Sequence, residues 1–244
     1  MMKLQQKRLA AVINTLTALV PECRLTITDI GINVIAVDTA NVALVSVNLP
    51  AASFQEYREE PAEIGMDLTK WLDMLKVMKE ADSTIRIERL DTGNLRISDG
   101  KYTYTHAPLD PNTLRKKPNP PLISLSSSVS IDAKEFHDTI KALGVVGDKA
   151  QLSIDGGRFE LTAEGDTDVL RKEIPTKPQD KKNGAAVGSL FSLDYLNDIS
   201  KAMKDAGTVT VHLGENHPVR FDFEMGGFEG SYLVAPRIEN DGDA

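Results

Sequence analysis

Lys76-Val77-Met78-Lys79-Glu80-Ala81 recurs as Lys201-Ala202-Met203-Lys204-Asp205-Ala206, the same chemistry 125 positions further along the chain. Other pairs keep that spacing: Met66 and Leu68 correspond to Phe191 and Leu193, Gly31 to Gly156, and Pro50 to Pro175. Agreement at one offset in several places marks a duplicated unit. Each half reads in the same order. Leu9, Val12, Ile13, Leu16, Leu19 and Val20 give the first half an opening helix with one buried stripe, and Phe136, Ile140 and Leu143 do so in the second. Strands rich in β-branched residues follow, Ile32 to Val37 and Val42 to Leu49 in one half, Leu152 to Ile154, Arg158 to Ala163 and Val169 to Ile174 in the other. A second helix comes next, Leu68 to Ala81 and Asp194 to Ala206, with Asp67 and Ser192 as candidate caps.

Closing strands run over Thr84 to Leu90, Asn94 to Ser98 and Lys101 to His106, and over Thr208 to Leu213, Arg220 to Met225 and Gly230 to Val234. Asp91-Thr92-Gly93-Asn94, Asp99-Gly100 and Gly226-Gly227 supply residues that tolerate positive φ in hairpin turns. The pattern predicts an α+β fold: two topologically similar domains, each with two helices against antiparallel sheet. Between them, Asp110 to Pro121 holds Pro111, Pro118, Pro120 and Pro121, so it reads as an extended surface linker that is neither helix nor inner strand, with Leu114 as its exposed apolar residue. The expected boundaries are 1–109, 110–121 and 122–244.

Over 244 residues, 41% hydrophobic and 26% charged residues describe an ordinary globular chain with a packed core. No run is long and apolar enough to span a bilayer, and the start of the chain leads into an amphipathic pattern, so no membrane role and a cytoplasmic location are expected. The single cysteine, Cys23, excludes an intrachain disulfide and reads as a buried small hydrophobe. A net charge of −8 argues at first against nucleic acid, yet an average does not forbid a basic stripe on one face.

A search for catalytic chemistry finds little. His106, His137, His212 and His217 show no metal-ligand spacing, and the last two read as flanking a turn. Glu164-Gly165-Asp166-Thr167-Asp168 lacks the rest of a calcium loop and reads as a solvated turn. Phosphate-cradling glycine loops and nucleophile elbows are missing from the sequence. No metal and no cofactor are expected. The helices say more. Trp71, Leu75 and Met78 share one face of the second helix, and Lys76 stands opposite with Asp73 and Glu80, flanked by Lys79. Lys7, Lys134, Lys141, Lys201 and Lys204 take comparable outward positions on the other helices.

Ala36-Val37-Asp38-Thr39-Ala40-Asn41-Val42-Ala43-Leu44-Val45, Ala163-Glu164-Gly165-Asp166-Thr167-Asp168, Leu190-Phe191-Ser192-Leu193-Asp194-Tyr195-Leu196 and Ala235-Pro236-Arg237-Ile238-Glu239 carry a resemblance. They are similar to segments of the DNA polymerase sliding clamps called proliferating cell nuclear antigen, the archaeal type above all. The resemblance runs essentially the length of the chain, and Leu109-Asp110-Pro111 falls where the family has its interdomain connecting loop.

The resemblance implies a processivity factor for replication and repair with no catalysis of its own, a homotrimer whose six domains form a pseudo-sixfold ring around double-stranded DNA without reading its sequence. Twelve helices spaced by about 9 Å lie on a circle roughly 34 Å across, which leaves a hole of roughly 24 Å. It implies DNA-facing Lys7, Lys76, Lys79, Lys134, Lys141, Lys201 and Lys204, although Ala10, Ala11 and Thr17 stand where relatives often carry basic residues. It implies a partner-peptide groove of Val37, Leu114, Pro218, Leu233, Ala235, Pro236 and Ile238, and a subunit interface in which Tyr102 and Tyr104 of one subunit meet Val169, Leu170, Arg171 and Lys172 of the next. The implied partners are a clamp loader, a replicative DNA polymerase, a flap endonuclease and a DNA ligase. An enzyme with a site built from scattered residues, or a scaffold that has lost encirclement, remains open at this point.

Overall fold

The computed structural model describes residues 1–78, 82–119, 121–176 and 186–238. The chain divides into two compact units, Met1–Pro120 with Glu224–Gly230, and Pro121–Phe223 with Ser231–Ala244.

The first unit runs β1 (Met2–Gln5), α1 (Gln6–Thr17), β2 (Glu22–Thr28), β3 (Gly31–Val37), β4 (Ala43–Pro50), the two-residue β5 (Glu56–Tyr57), β6 (Ala62–Asp67), α2 (Leu68–Val77), β7 (Thr84–Arg89), β8 (Leu95–Ser98) and β9 (Thr103–His106). The second runs β10 (Ser127–Asp132), α3 (Ala133–Leu143), β11 (Lys149–Asp155), β12 (Arg158–Glu164), β13 (Val169–Ile174), β14 (Val187–Ser192), α4 (Leu193–Met203), β15 (Thr208–Leu213) and the greater part of β16 (Val219–Met225) and β17 (Phe228–Val234), whose joining stretch Glu224–Gly230 belongs to the first. Apart from β5 the order is the same, and α2 and α4 begin at Leu68 and Leu193, the spacing of the sequence repeat. Strand neighbours follow suit. β5-β1-β7-β8-β9 and β4-β3-β2-β6 in the first unit are matched by β10-β15-β16-β17 and β13-β12-β11-β14 in the second, with antiparallel pairing.

Local chemistry explains the elements. Asp67 caps α2 by accepting from Lys70 N at 3.0 Å, and Asp132 caps α3 from Glu135 N at 2.8 Å, each satisfying an otherwise orphaned donor. Ser192 stands at the start of α4 but makes no cap bond, so the expected cap there is corrected. Six strands are missing from the sequence reading, β1, β2, β5, β6, β10 and β14, and four of them, β1, β6, β10 and β14, lead straight into a helix. Gly93 and Gly100 sit at φ +83° and +89°, as the hairpin signals required.

The two cores are filled differently. In the second unit Phe136, Phe159, Phe191, Phe221 and Tyr232 are fully buried, and Phe136 lies 5.3 Å from Phe221 between ring centroids. In the first unit Val34 and Met66 occupy the positions of Phe159 and Phe191. They line an all-apolar cavity of about 50 Å³ with Leu9, Ile13, Val47 and Trp71.

The connecting segment corrects two expectations. It contains a short 3-10 turn, Pro111–Thr113, capped by Asp110 through Asn112 N at 2.8 Å. Leu114 is not exposed but buried, at 7% of its free area. Three cations of the first unit hold the segment down. Arg24 donates to the Leu114 carbonyl at 2.8 Å, Arg115 to the Asp38 carbonyl and the Asn41 side chain, and Lys117 to the Asn33 side chain at 3.0 Å. The loop that receives Arg115 is itself rigid, because the buried Asp38 carboxylate accepts from the backbone of Ala40, Val42 and Ala43.

Candidate functional site

The outward lysines fall into two electrostatic classes. In the first unit Lys7 on α1 lies 3.3 Å from Asp82, and Lys76 on α2 lies 2.8 Å from Asp73. Both charges are shared with a carboxylate. Ala10, Ala11 and Thr17 add no charge, the Thr17 hydroxyl donates to the Ile13 carbonyl at 3.0 Å, and Arg8 is turned to the Ser53 carbonyl. Lys79 lies outside the described residues. In the second unit Lys134 and Lys141 on α3, with Lys201 and Lys204 on and just after α4, are exposed. None of these four has a carboxylate within 4.0 Å among the described residues.

Helices α3 and α4 pack on each other, and a residue pair missed in the sequence joins them: His137 Nδ1 lies 3.0 Å from Ser200 Oγ. Burial and then the Lys141 charge hold the His137 pKa below the ordinary histidine value; Asp138 opposes them more strongly than Lys204 and Lys201 each add to them. Asp198 on α4 is shifted up, first by burial and then by Asp194, with Lys201 opposing. No spacing rule links positions 137 and 200, so only the fold reveals the pair.

Six strands end the sheets, β5, β9, β10, β6, β13 and β14, and two of them carry exposed apolar or aromatic side chains at or beside the edge. β9 ends one sheet and β13 another; Tyr104 of β9 is 41% and Val169 of β13 63% exposed, and Tyr102, just ahead of β9, is 45% exposed. Leu170 is half-buried, while Arg171 and Lys172 are exposed and paired with Glu160 and Glu135 at 3.5 and 3.1 Å. A concavity between α2 and β9 exposes Val77 beside Tyr102 and Tyr104. Unpaired edges with apolar side chains are templates for another strand.

The expected groove residues are placed in both units. Val37 is half-buried and Leu114 buried in the first. In the second, Pro218, Leu233, Ala235 and Pro236 are half-buried and Ile238 is 85% exposed. Pro236 and Ile238 line an open concavity with Leu190 and Arg237, and the Arg237 backbone donates to the Leu190 carbonyl at 2.7 Å, which fixes the segment after β17.

Among the described residues no cluster of three or more His, Cys, Asp or Glu is placed to hold a metal, and no helix is long and apolar enough to cross a membrane.

Family models for the N-terminal and C-terminal domains of proliferating cell nuclear antigen match residues 2–98 and 121–237. A DNA polymerase sliding clamp of Methanocorpusculum labreanum is 40% identical over 234 residues, 94% of either chain. Another, of Methanosarcina mazei, is also 40% identical over 234 residues with the same coverage. Among solved structures, A. fulgidus PCNA, bound to the C-terminal region of FEN-1, has a TM-score of 0.89 at 31% identity, covering 98% of this chain and 99% of that one. PCNA of Thermococcus kodakaraensis, at 22% identity, shares the fold with a TM-score of 0.86, covering 97% and 99%.

Proposed function

The chain belongs to the proliferating cell nuclear antigen family, and from that premise we propose that it is a DNA polymerase sliding clamp, a homotrimeric ring that encircles duplex DNA and performs no reaction of its own. The observation that carries this reading is the exposed Tyr102, Tyr104 and Val169 at the sheet-ending strands β9 and β13, on a duplicated fold with an outward lysine on each described helix. Pairing β9 of one subunit with β13 of the next satisfies both edges, and head-to-tail repetition closes the ring. Tyr102 and Tyr104 then meet Val169 and Leu170, with Arg171 and Lys172 at the rim. Enclosure keeps the clamp on DNA while Lys7, Lys76, Lys79, Lys134, Lys141, Lys201 and Lys204 make weak, salt-sensitive phosphate contacts.

Partners dock by short peptides through Val37 and Leu114 of the first unit and Pro218, Leu233, Ala235, Pro236 and Ile238 of the second. The complex of A. fulgidus PCNA with the C-terminal region of FEN-1 supports a flap endonuclease among them. Clamp loader, replicative polymerase and ligase follow from the family. Because Leu114 is buried, we assign it to shaping the surface and Ile238 to anchoring the peptide.

Native mass and DNA topology test the proposal together. A species of about 80 kDa, three times 26.7 kDa, is expected, retained on closed-circular duplex and shed on linearisation. A monomer, or equal retention on both DNA forms, overturns it.

A further inference from the structure

His137 sits among the second unit's lysines without being one of them, and its surroundings fix which nitrogen carries its proton. The Ser200 hydroxyl donates to the Asn197 carbonyl at 3.1 Å, so Ser200 Oγ accepts from His137. The neutral imidazole therefore carries its hydrogen on Nδ1 and a lone pair on Nε2. Nε2 takes no hydrogen bond among the described residues and is not sealed from solvent. Ser200 is fully buried, which holds the ring in place.

We propose that His137 is a proton-coupled phosphate contact: when a nucleic-acid phosphate settles against Lys141, Lys201 and Lys204, His137 takes a proton from solvent at Nε2, keeps it, and donates a hydrogen bond through that N–H to a phosphate oxygen. The inference rests on the DNA-encircling reading and adds to it a contact that is absent in the free protein at neutral pH. The N–H bond formed at Nε2 is the only covalent change, and one proton leaves solvent for each contact made.

The surrounding charges set the direction. On its own helix His137 feels Lys141 and Asp138, and from α4 it feels Lys204 and Lys201. From β13, which also packs on α3, Lys172 is engaged by Glu135 at 3.1 Å. Three lysines and partial burial against one aspartate disfavour the imidazolium in the free protein. A phosphate reverses that balance by neutralising the lysines and offering an acceptor. The protonated form binds phosphate better, so affinity rises as pH falls through the window between the bound and free pKa values, with sign and size set by linkage: at most tenfold per pH unit for one proton.

The test is an NMR titration of the His137 ring in the intact protein, with and without a short blunt duplex, alongside duplex affinity over the same pH range in wild type, H137Q and D198N. Glutamine keeps a donor for Ser200 but does not titrate. The expected result is a His137 pKa that rises by more than half a unit on adding duplex, and an affinity that climbs severalfold toward acid in wild type and D198N but stays flat in H137Q. Duplex binding that perturbs the lysine helices while the His137 pKa stays put overturns the proton-coupled contact and spares the clamp. An acid-side rise that persists in H137Q and vanishes in D198N assigns the effect to Asp198 and also overturns it. Absence of any duplex perturbation at low salt sinks the encircling reading itself.

Discussion

Neutralising Lys201 and Lys204 is expected to weaken the salt dependence of DNA binding far more than neutralising Lys76, although all three lysines face outward on equivalent helices. Each phosphate neutralised contributes a slope of about 0.9 in log affinity against log salt. Lys201 and Lys204 have no carboxylate within 4.0 Å among the described residues, so their removal is expected to flatten the slope by about 1.8. Over a fourfold change from 50 to 200 mM salt the wild type then loses roughly tenfold more affinity than the double alanine variant. Lys76 must first leave Asp73, 2.8 Å away, so binding a phosphate there exchanges one anion for another. The K76A slope is expected to change by well under one unit, and D73N is expected to raise affinity. Fluorescence anisotropy of a labelled duplex at several salt concentrations reads all of these. Equal slope changes for K76A and for K201A with K204A refute the reasoning, because they mean that the Asp73 pair does not persist in solution.

Cys23 is buried and its thiol is pushed up to about 12, first by burial and then by Glu22, so a disulfide reagent at pH 8 is expected to label it only after denaturant is added; rapid labelling of the native protein contradicts its placement. Val34→Ile extends one methylene into the first unit's cavity of about 50 Å³. It is expected to add about 0.8 kcal/mol and raise Tm by roughly 2 °C at fixed protein concentration, and a lower Tm means the void is closed to that rotamer. The Asp222 carboxylate lies 3.0 Å from His212 Nε2 and accepts from Ser231 at 2.7 Å, and Arg220 Nε stands 3.0 Å away as an ion pair without hydrogen-bond alignment. Burial raises its pKa, but His212, Ser231 and Arg220 together outweigh that and leave it below the usual carboxylate range. A depressed pKa stabilises the fold above the unfolded value, a contribution lost as pH falls toward the folded one. Urea titrations of wild type and D222N should therefore diverge at neutral pH and converge in acid; a gap that stays constant with pH rules out this linkage.

The duplication was legible because it is written in local chemistry. Helix stripes and turn residues survive in both halves, and α2 and α4 start at the expected spacing. The leading strands were not, because β1, β6, β10 and β14 are four to six residues long and run into a helix without an intervening turn signal. Leu114 was misjudged for a different reason. A proline-rich stretch reads as exposed when its neighbours are unknown, and its burial depends on Arg24 and on Arg115 reaching Asp38, contacts separated by 90 and 77 positions. The Asp73–Lys76 pair lay open to a reader, since charges three apart on a helix face meet, whereas His137 and Ser200 are 63 positions apart and meet only through packing.

The net charge of −8 looked like the strongest argument against DNA, and the geometry explains why it is not. At physiological ionic strength a charge is screened beyond about 8 Å, so a phosphate on the α3–α4 face responds to the side chains of that face and scarcely to acidic residues elsewhere. There four exposed lysines and a titratable histidine stand against Asp138, Asp194, Asp198 and Asp205, the third with its pKa raised, while Asp132 is spent on capping α3 and Glu135 on Lys172. The corresponding helices of the first unit offer lysines already shared with Asp73 and Asp82. Two copies of one fold have thus drifted to different electrostatic states. In a trimeric ring the strong phosphate contacts would then repeat three times and not six, so an enclosed duplex would favour the second unit of each subunit, and its passage would slow as pH falls.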